Sequence, residues 1–421
     1  MLALLVFTLA FAAWTLFAVI GVDLKYMLGL SETAFGVLLA MPMLIGAVAC
    51  LPLGVLAERW GGRRVMLGCL LLLCPFLIWI SVAQHYIEFL IAGAGLGLAA
   101  GLFGAGLPYV AAWSPPNREG FALGLYGSGM IGAGLTYLLV PMVNQAYGWR
   151  LAPWIYLILL LLAALLLWWF GEDEEHHQRP RRQPAPTLKM QLAVLAGFQV
   201  WRFGIYYSFV FGAFVALALW LPDYLAAHYQ VPLQRAAILS LIFTLPGALM
   251  QIPGGLLADF RGARQVNWLV FWTSLVCLFF LSYPPTSMVV HGIDQDLHLE
   301  LNMPLPIFLV LLFIMGTAMG FGKGSVMRLV FNYYPDRMGV VGGLVVAMGG
   351  LAAFVLPVLF GIANDVIGVR SAAFMLLYGL LAACMILMFF GARHEERRRR
   401  LQLARQDEFV RMIRQEPPAA S

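Results

Sequence analysis

Charge is the property this chain has least of. Only 11% of its 421 residues are Asp, Glu, Lys or Arg, against 62% hydrophobic, and mean hydropathy is +0.85. A water-soluble domain uses roughly a quarter charged residues to cover its surface, so this composition excludes one. Also missing are the short alternating apolar segments of a membrane barrel. The five cysteines (Cys50, Cys69, Cys74, Cys277, Cys384) all fall in apolar stretches, in neither paired nor metal-ligand spacing, and are read as small core residues. No nucleotide-binding motif, metal cluster or catalytic constellation stands out, and His176 and His177 are read as linker residues rather than metal ligands. The expectation is therefore a protein that is not an enzyme, with no cofactor and no nucleic-acid partner. The opening MLALLVFTLAFAAWTLFAVIGV lacks a basic n-region and an A-x-A-like site and is read as a first span, not a removed signal.

What the chain does have is long, nearly continuous apolar runs, and a helix needs about 20 such residues to cross a bilayer core. Breaks at Gly, Pro and charge clusters predict twelve transmembrane helices: 2–22, 34–57, 65–84, 87–113, 120–145, 151–170, 197–221, 235–259, 266–284, 305–333, 339–364 and 371–392. Between the sixth and seventh lies GEDEEHHQRPRRQPAPTLKM, the one internal stretch that is polar, charged and proline-rich. The expected organisation is an all-α membrane protein in two six-helix halves, 1–170 and 197–392, with a linker at 171–196 and a basic, helical tail at 393–421. Alternate loops plus the tail collect 19 of the 26 Lys and Arg on one side, and Lys25, Arg150, Arg235 and Arg370 fall on the other. Because basic loops stay in the cytoplasm, both termini are expected there, in a protein whose partner is the lipid bilayer and whose home is a bacterial inner membrane. Arg202, Lys323 and Arg328 are the basic residues that no loop accounts for. Arg202 is read as an interface anchor and Arg328 as a residue near the cytoplasmic edge, either snorkelling to the interface or paired with a loop acid.

The halves repeat. LPLGVLAERWGGRRV after the second span and IPGGLLADFRGARQV after the eighth align without gaps at an offset of 201, matching Pro52 with Pro253, Gly54 with Gly255, Glu58 with Asp259, Gly61 with Gly262 and Arg63 with Arg264. A small residue, an acid, then Gly and Arg in a short turn resembles the loop signature of the major facilitator superfamily, here in two copies. In such a turn the carboxylate caps a helix or pairs with arginines. The resemblance implies parallel six-helix halves around a central pathway, and secondary active transport by alternating access.

Within that superfamily the chain resembles the nitrate/nitrite porters. The matching stretches are FAAW, GLSETAFGVLLAMPMLIGA, GLGLAAGLFGAGLPYVAAWSPPNREG, FGAFVALALWLP and GGLVVAMGGLAAFVLPVLFG. Where that family has two arginines facing each other across a cavity, this chain has Cys50 and Gln251, and where it has the asparagine of a G-x-G-N-x-G signature, this chain has Met130 in GSGMIG. Phe103, Tyr207 and Phe211 match aromatic residues of the family's cavity. Aligning Pro115 with Pro335, at an offset of 220, puts Lys323 on the repeat position of Phe103. Lys323 is eleven residues back from Tyr334, about 16 Å at 1.5 Å per residue, which is near mid-depth. A charge there costs roughly 2.5–3.5 kcal/mol or more unless it faces a polar cavity.

Lys323 is accordingly the expected fixed cation for a small anion, or a group that exchanges a coupling proton. A counter-ion is the other coupling partner considered. The lost arginines leave two further readings open: a non-transporting sensor or assembly protein that keeps the fold, and a transporter of an uncharged or cationic solute.

Overall fold

The computed structural model describes residues 1–113, 119–172, 197–284, 286–291, 296–334 and 338–415. From residue 173 on, the linker lies outside the described residues, as do His176, His177 and the two prolines that anchor the 220 offset. The described residues form twelve apolar spans: Leu2–Leu28, Glu32–Cys50 (the start of a helix running to Trp60), Gly62–Val82, Tyr86–Val110, Gly124–Tyr147, Leu151–Phe170, Phe198–His228, the bent pair Leu233–Leu249 and Gln251–Arg261, Ala263–Leu281, Leu305–Tyr333, Val341–Ile367 and Ala372–Arg393. Apolar side chains run all round these helices because a membrane span meets lipid or another helix on every side, and its backbone groups must bond internally.

Departures from regular helix occur in five spans, of which the fourth breaks at Gly97, between helices Tyr86–Leu96 and Leu98–Trp113. The first is interrupted at Thr15 and Leu16, between helices Leu2–Trp14 and Phe17–Leu28. Hydroxyls bond the carbonyls of that turn: Thr15 donates to Phe11 O at 3.1 Å, and Thr136 donates to Ala12 O at 2.7 Å. The fifth span contains a 3-10 turn, Ser128–Ile131, inside GSGMIG, and the seventh a π-helical stretch, Ser208–Ala213. The eighth bends by 42° between Leu249 and Gln251. Pro253 has no N–H for the carbonyl of Leu249 and its ring crowds that group, which accounts for the break.

The repeat is visible in packing as well as in sequence. Gly61 and Gly262 end their helices at the same φ of +88°, a conformation that L side chains rarely adopt. A Cβ on Gly104 would lie 2.4 Å from the carbonyl oxygen of Cys50, and one on Gly324 would lie 2.4 Å from that of Gln251. Glycine at those two places lets the second span touch the fourth, and the eighth the tenth, at backbone distance. The next contact inverts its partners: Leu53 fills the space above Gly101, whereas in the other half Gly254 makes room for Phe321.

Two features depart from the sequence expectation. Thr286–His291 and Asp296–Leu301 pair as an antiparallel hairpin, Thr286 opposite Leu301 and His291 opposite Asp296, between the ninth and tenth spans. Alternation of apolar and polar residues in DLHLEL carries that signal, but it is only six residues long. The last helix runs unbroken from Ala372 to Gln415, so the expected boundary at 393 is a change of composition, not of backbone.

Candidate functional site

Between the halves lies a cavity with about 30 Å³ of room for water centres, space for two waters at the ~10–15 Å³ each requires. Cys50, Phe103, Met130, Tyr207 and Phe211 all line it, so five of the seven residues expected at a substrate site share one cavity. Tyr207 and Phe211 stack at 5.2 Å with 17° between their planes. The wider π turn after Tyr207 brings positions four apart nearly into line. Ser208, at the start of that turn, donates to Gly204 O at 2.9 Å and to Met348 O at 3.2 Å. Phe103 stacks on Tyr126 at 5.7 Å.

Phe7, Phe11 and Trp14 complete the aromatic wall, and the sequence reading assigned them no role. The signal that finds them is a third offset, of 200, which places Phe7 on Tyr207, Phe11 on Phe211 and Trp14 on Phe214. Both halves thus send an aromatic pair to the cavity from the same face of their opening span. Trp14 spends its indole N–H on Pro42 O, 3.0 Å away. The thiol of Cys50 and the hydroxyl of Tyr207 are the other polar side-chain groups among the described lining residues.

Lys323 is 1% exposed and points into the protein rather than to lipid or the membrane edge. Its Nζ lies 3.5 Å from the centroid of the Phe214 ring and 3.8 Å from Met130 Sδ. The residue does not line the cavity itself. Met130 does, and its Sδ accepts from Nζ at 3.8 Å, so the amine touches a residue of the cavity wall. In the first half the corresponding residues, Trp14 and Phe103, both face the cavity; in the second, Phe214 and Lys323 do not line it. Among the described residues no carboxylate pairs with Lys323.

Gln251 departs from the expectation of a residue facing Cys50 across the cavity. It is buried at the bend of the eighth span, where its side-chain amide lies against Gly127, 3.2 Å from where a Cβ would sit. Its Nε2 donor has no hydrogen-bond partner. The side chain packs on the glycine-rich fifth span and is not among the residues that line the cavity.

Among the described residues, the matched arginines of the repeated turns bond to different groups. Arg63 donates from Nε to Leu167 O at 3.2 Å and from a terminal nitrogen to Trp168 O, so it caps the end of the sixth span, where carbonyls carry partial negative charge. Arg264 donates to the Tyr333 hydroxyl at 3.0 Å. Asp259 pairs with Arg328 Nε of the tenth span at 2.5 Å; its partner is a helix residue, not an arginine of the neighbouring loop. The side chain of Glu58 lies outside the described residues. Lys25 and Arg370, counted as loop cations in the sequence, are instead held by Glu32 and Asp223 at 2.9–3.1 Å, and Lys25 is 7% exposed.

A family model described as Major Facilitator Superfamily matches residues 2–293. The "Probable nitrate/nitrite antiporter NarK1" of Thermus thermophilus is 36% identical over 401 residues, 92% of this chain and 89% of that protein. The "Nitrite extrusion protein" of Bacillus subtilis is 28% identical over 382 residues, covering 90% of each chain. Among solved structures, a bacterial homologue of the human lysosomal transporter Spinster, inward-facing and unoccupied, matches with a TM-score of 0.70 at 15% identity. That match spans 93% of this chain and 96% of that one.

Proposed function

The chain belongs to the major facilitator superfamily, within its nitrate/nitrite porters, and from that premise we propose that its substrate is a small anion of the nitrate or nitrite kind. The protein is a secondary transmembrane transporter, not an enzyme. We assign 1–170 and 197–392 to its two halves, with both termini in the cytoplasm of a bacterial inner membrane. In alternating access the halves rock about the cavity between them.

The observation that carries the anion is Lys323. Placing its charge in mid-membrane costs about 2.5–3.5 kcal/mol or more, and one aromatic face returns about 0.5–2 kcal/mol. No carboxylate is paired with it among the described residues, so the amine has no fixed counter-charge and a bound anion would favour its protonated form. A small, weakly hydrated anion suits the site, because the aromatic wall replaces few of the hydrogen bonds a strongly hydrated one would lose. Met130 must turn aside for the anion to reach Nζ, and an unbranched thioether turns easily. With Cys50 and Gln251 in place of two guanidiniums, the site offers one point charge rather than a bidentate clamp. Lower affinity and looser shape selection than a two-arginine site follow from this. A proton or a second anion moving in exchange is the coupling partner.

The apolar wall favours a second reading, an uncharged solute. Purified protein in proteoliposomes, offered nitrate, nitrite, small carboxylates and neutral solutes of similar size, separates the two. Uptake or exchange of an anion is expected; uptake confined to neutral solutes, or none at all, overturns the proposal.

A further inference from the structure

At the end of the bundle opposite the chain termini, four charged side chains meet from both halves. Lys25, near the end of the first span, donates from Nζ to Glu32 at 2.9 Å and to Asp223 at 3.0 Å. Arg370, between the last two spans, donates to the other Asp223 oxygen at 3.0 Å and to Glu32 at 3.1 Å. Asp223 has no exposed surface. Beside them Asp365, of the eleventh span, accepts from the backbone N–H of Glu32 at 3.1 Å, the N–H of Thr33 at 2.8 Å and the Thr33 hydroxyl at 2.6 Å. The backbones of the two halves touch here. A Cβ on Gly361 would fall 2.3 Å from Glu32 O, and one on Gly36 would fall 2.3 Å from Pro357 O.

The quartet has a particular pattern. Lys25 with Glu32 lies within the first half, and Arg370 with Asp223 within the second; Lys25 with Asp223 and Arg370 with Glu32 cross between them. Each half therefore brings one cation and one anion, and is neutral at this surface by itself. Buried ion pairs resist separation chiefly because a charge left without its partner is so costly. When these halves part, every charge keeps one partner.

We propose that Lys25, Glu32, Asp223 and Arg370 form a reversible latch that closes the outer mouth of the transport pathway, opening along the two crossing contacts while the two internal pairs stay made. The latch is a part of the transport cycle and so rests on the transporter reading, but it is independent of the substrate's identity. It holds the closed state in place without trapping it, since opening leaves none of the four charges without a partner, and exposed Asp365 exchanges its bonds to Glu32 and Thr33 for water. Of the two crossing contacts, Lys25 with Asp223 is the more buried and so the less screened by water and salt.

Cys50, a native thiol on the cavity wall, reports which mouth is open. With Cys69, Cys74, Cys277 and Cys384 replaced by Ala, sided proteoliposomes are treated with a membrane-impermeant methanethiosulfonate, applied to one face at a time. No substrate is present, so the result stands whether or not the anion proposal does. Arg370→Gln removes one crossing contact. It is expected to speed labelling from the face opposite the termini on the order of tenfold, a population shift that one such contact can supply, and to slow labelling from the terminal face. Lys25→Gln should do the same, and Arg370→Lys, which keeps the charge, should stay near the parental rate. Rates unchanged on both faces, or raised equally on both as a loosened fold would give, overturn the latch.

Discussion

The amine of Lys323 lies over the face of Phe214, 3.5 Å from the ring centroid, and 3.8 Å from Met130 Sδ. A buried basic residue is most often matched by a carboxylate. This one is held by a quadrupole and a thioether, both weak partners beside an anion.

Lys323→Met keeps an unbranched side chain, one atom shorter, and removes the amine. Anion transport in proteoliposomes is expected to be lost, while thermal unfolding in detergent moves upward or not at all, because an unpaired charge has left mid-membrane. Transport at the parental rate would remove Lys323 from the site.

Met130→Asn puts an amide donor into the cavity wall at the signature position of the fifth span. One added hydrogen bond to an oxyanion is worth about 0.5–1.5 kcal/mol. The KM for nitrate or nitrite should therefore fall about two- to tenfold, and a rise in KM would argue that the anion does not pass this side chain.

Gly104→Ala and Gly324→Ala test the repeat in the packing. Each introduces a Cβ 2.4 Å from a carbonyl oxygen of the neighbouring span, so each should cost a similar amount, about 1–3 kcal/mol. Parallel drops in melting temperature are expected, and a loss confined to one half would contradict the equivalence of the two contacts.

Arg328 and Asp259 form an ion pair whose side chains are 39% and 46% exposed. A double-mutant cycle with Arg328→Gln and Asp259→Asn should give a coupling of no more than about 1 kcal/mol, shrinking as salt is raised. A larger, salt-insensitive value would place the pair in a drier setting than its exposure indicates.

Much of this architecture was legible because a membrane span writes itself as composition. Twelve apolar runs gave the fold, and gap-free matches such as Gly61 with Gly262 gave the two halves. Lys323 stood out because one charge in an apolar helix is costly enough to need a reason. Other features had no such local mark. The 3-10 turn at Met130 and the π turn after Tyr207 change helical register without changing residue type. Gln251 follows a bend and packs against Gly127, whereas its repeat mate Cys50 lines the cavity. Lys25 and Arg370 read as ordinary loop charges, since their partners Glu32 and Asp223 lie up to 338 residues away in the chain. Phe7, Phe11 and Trp14 were hidden among many apolar residues until the offset of 200 set them beside Tyr207, Phe211 and Phe214.

The unbroken last helix makes the tail a lever arm. Its spanning part ends at Arg393 and the helix ends at Gln415, which leaves a rod of about 33 Å at 1.5 Å per residue rigidly joined to the second half. A tilt of that half by about ten degrees would sweep the far end of the rod through roughly 6 Å, by the same helical rise. Small rotations deep in the bilayer would thus be magnified at the membrane surface, where they can be seen.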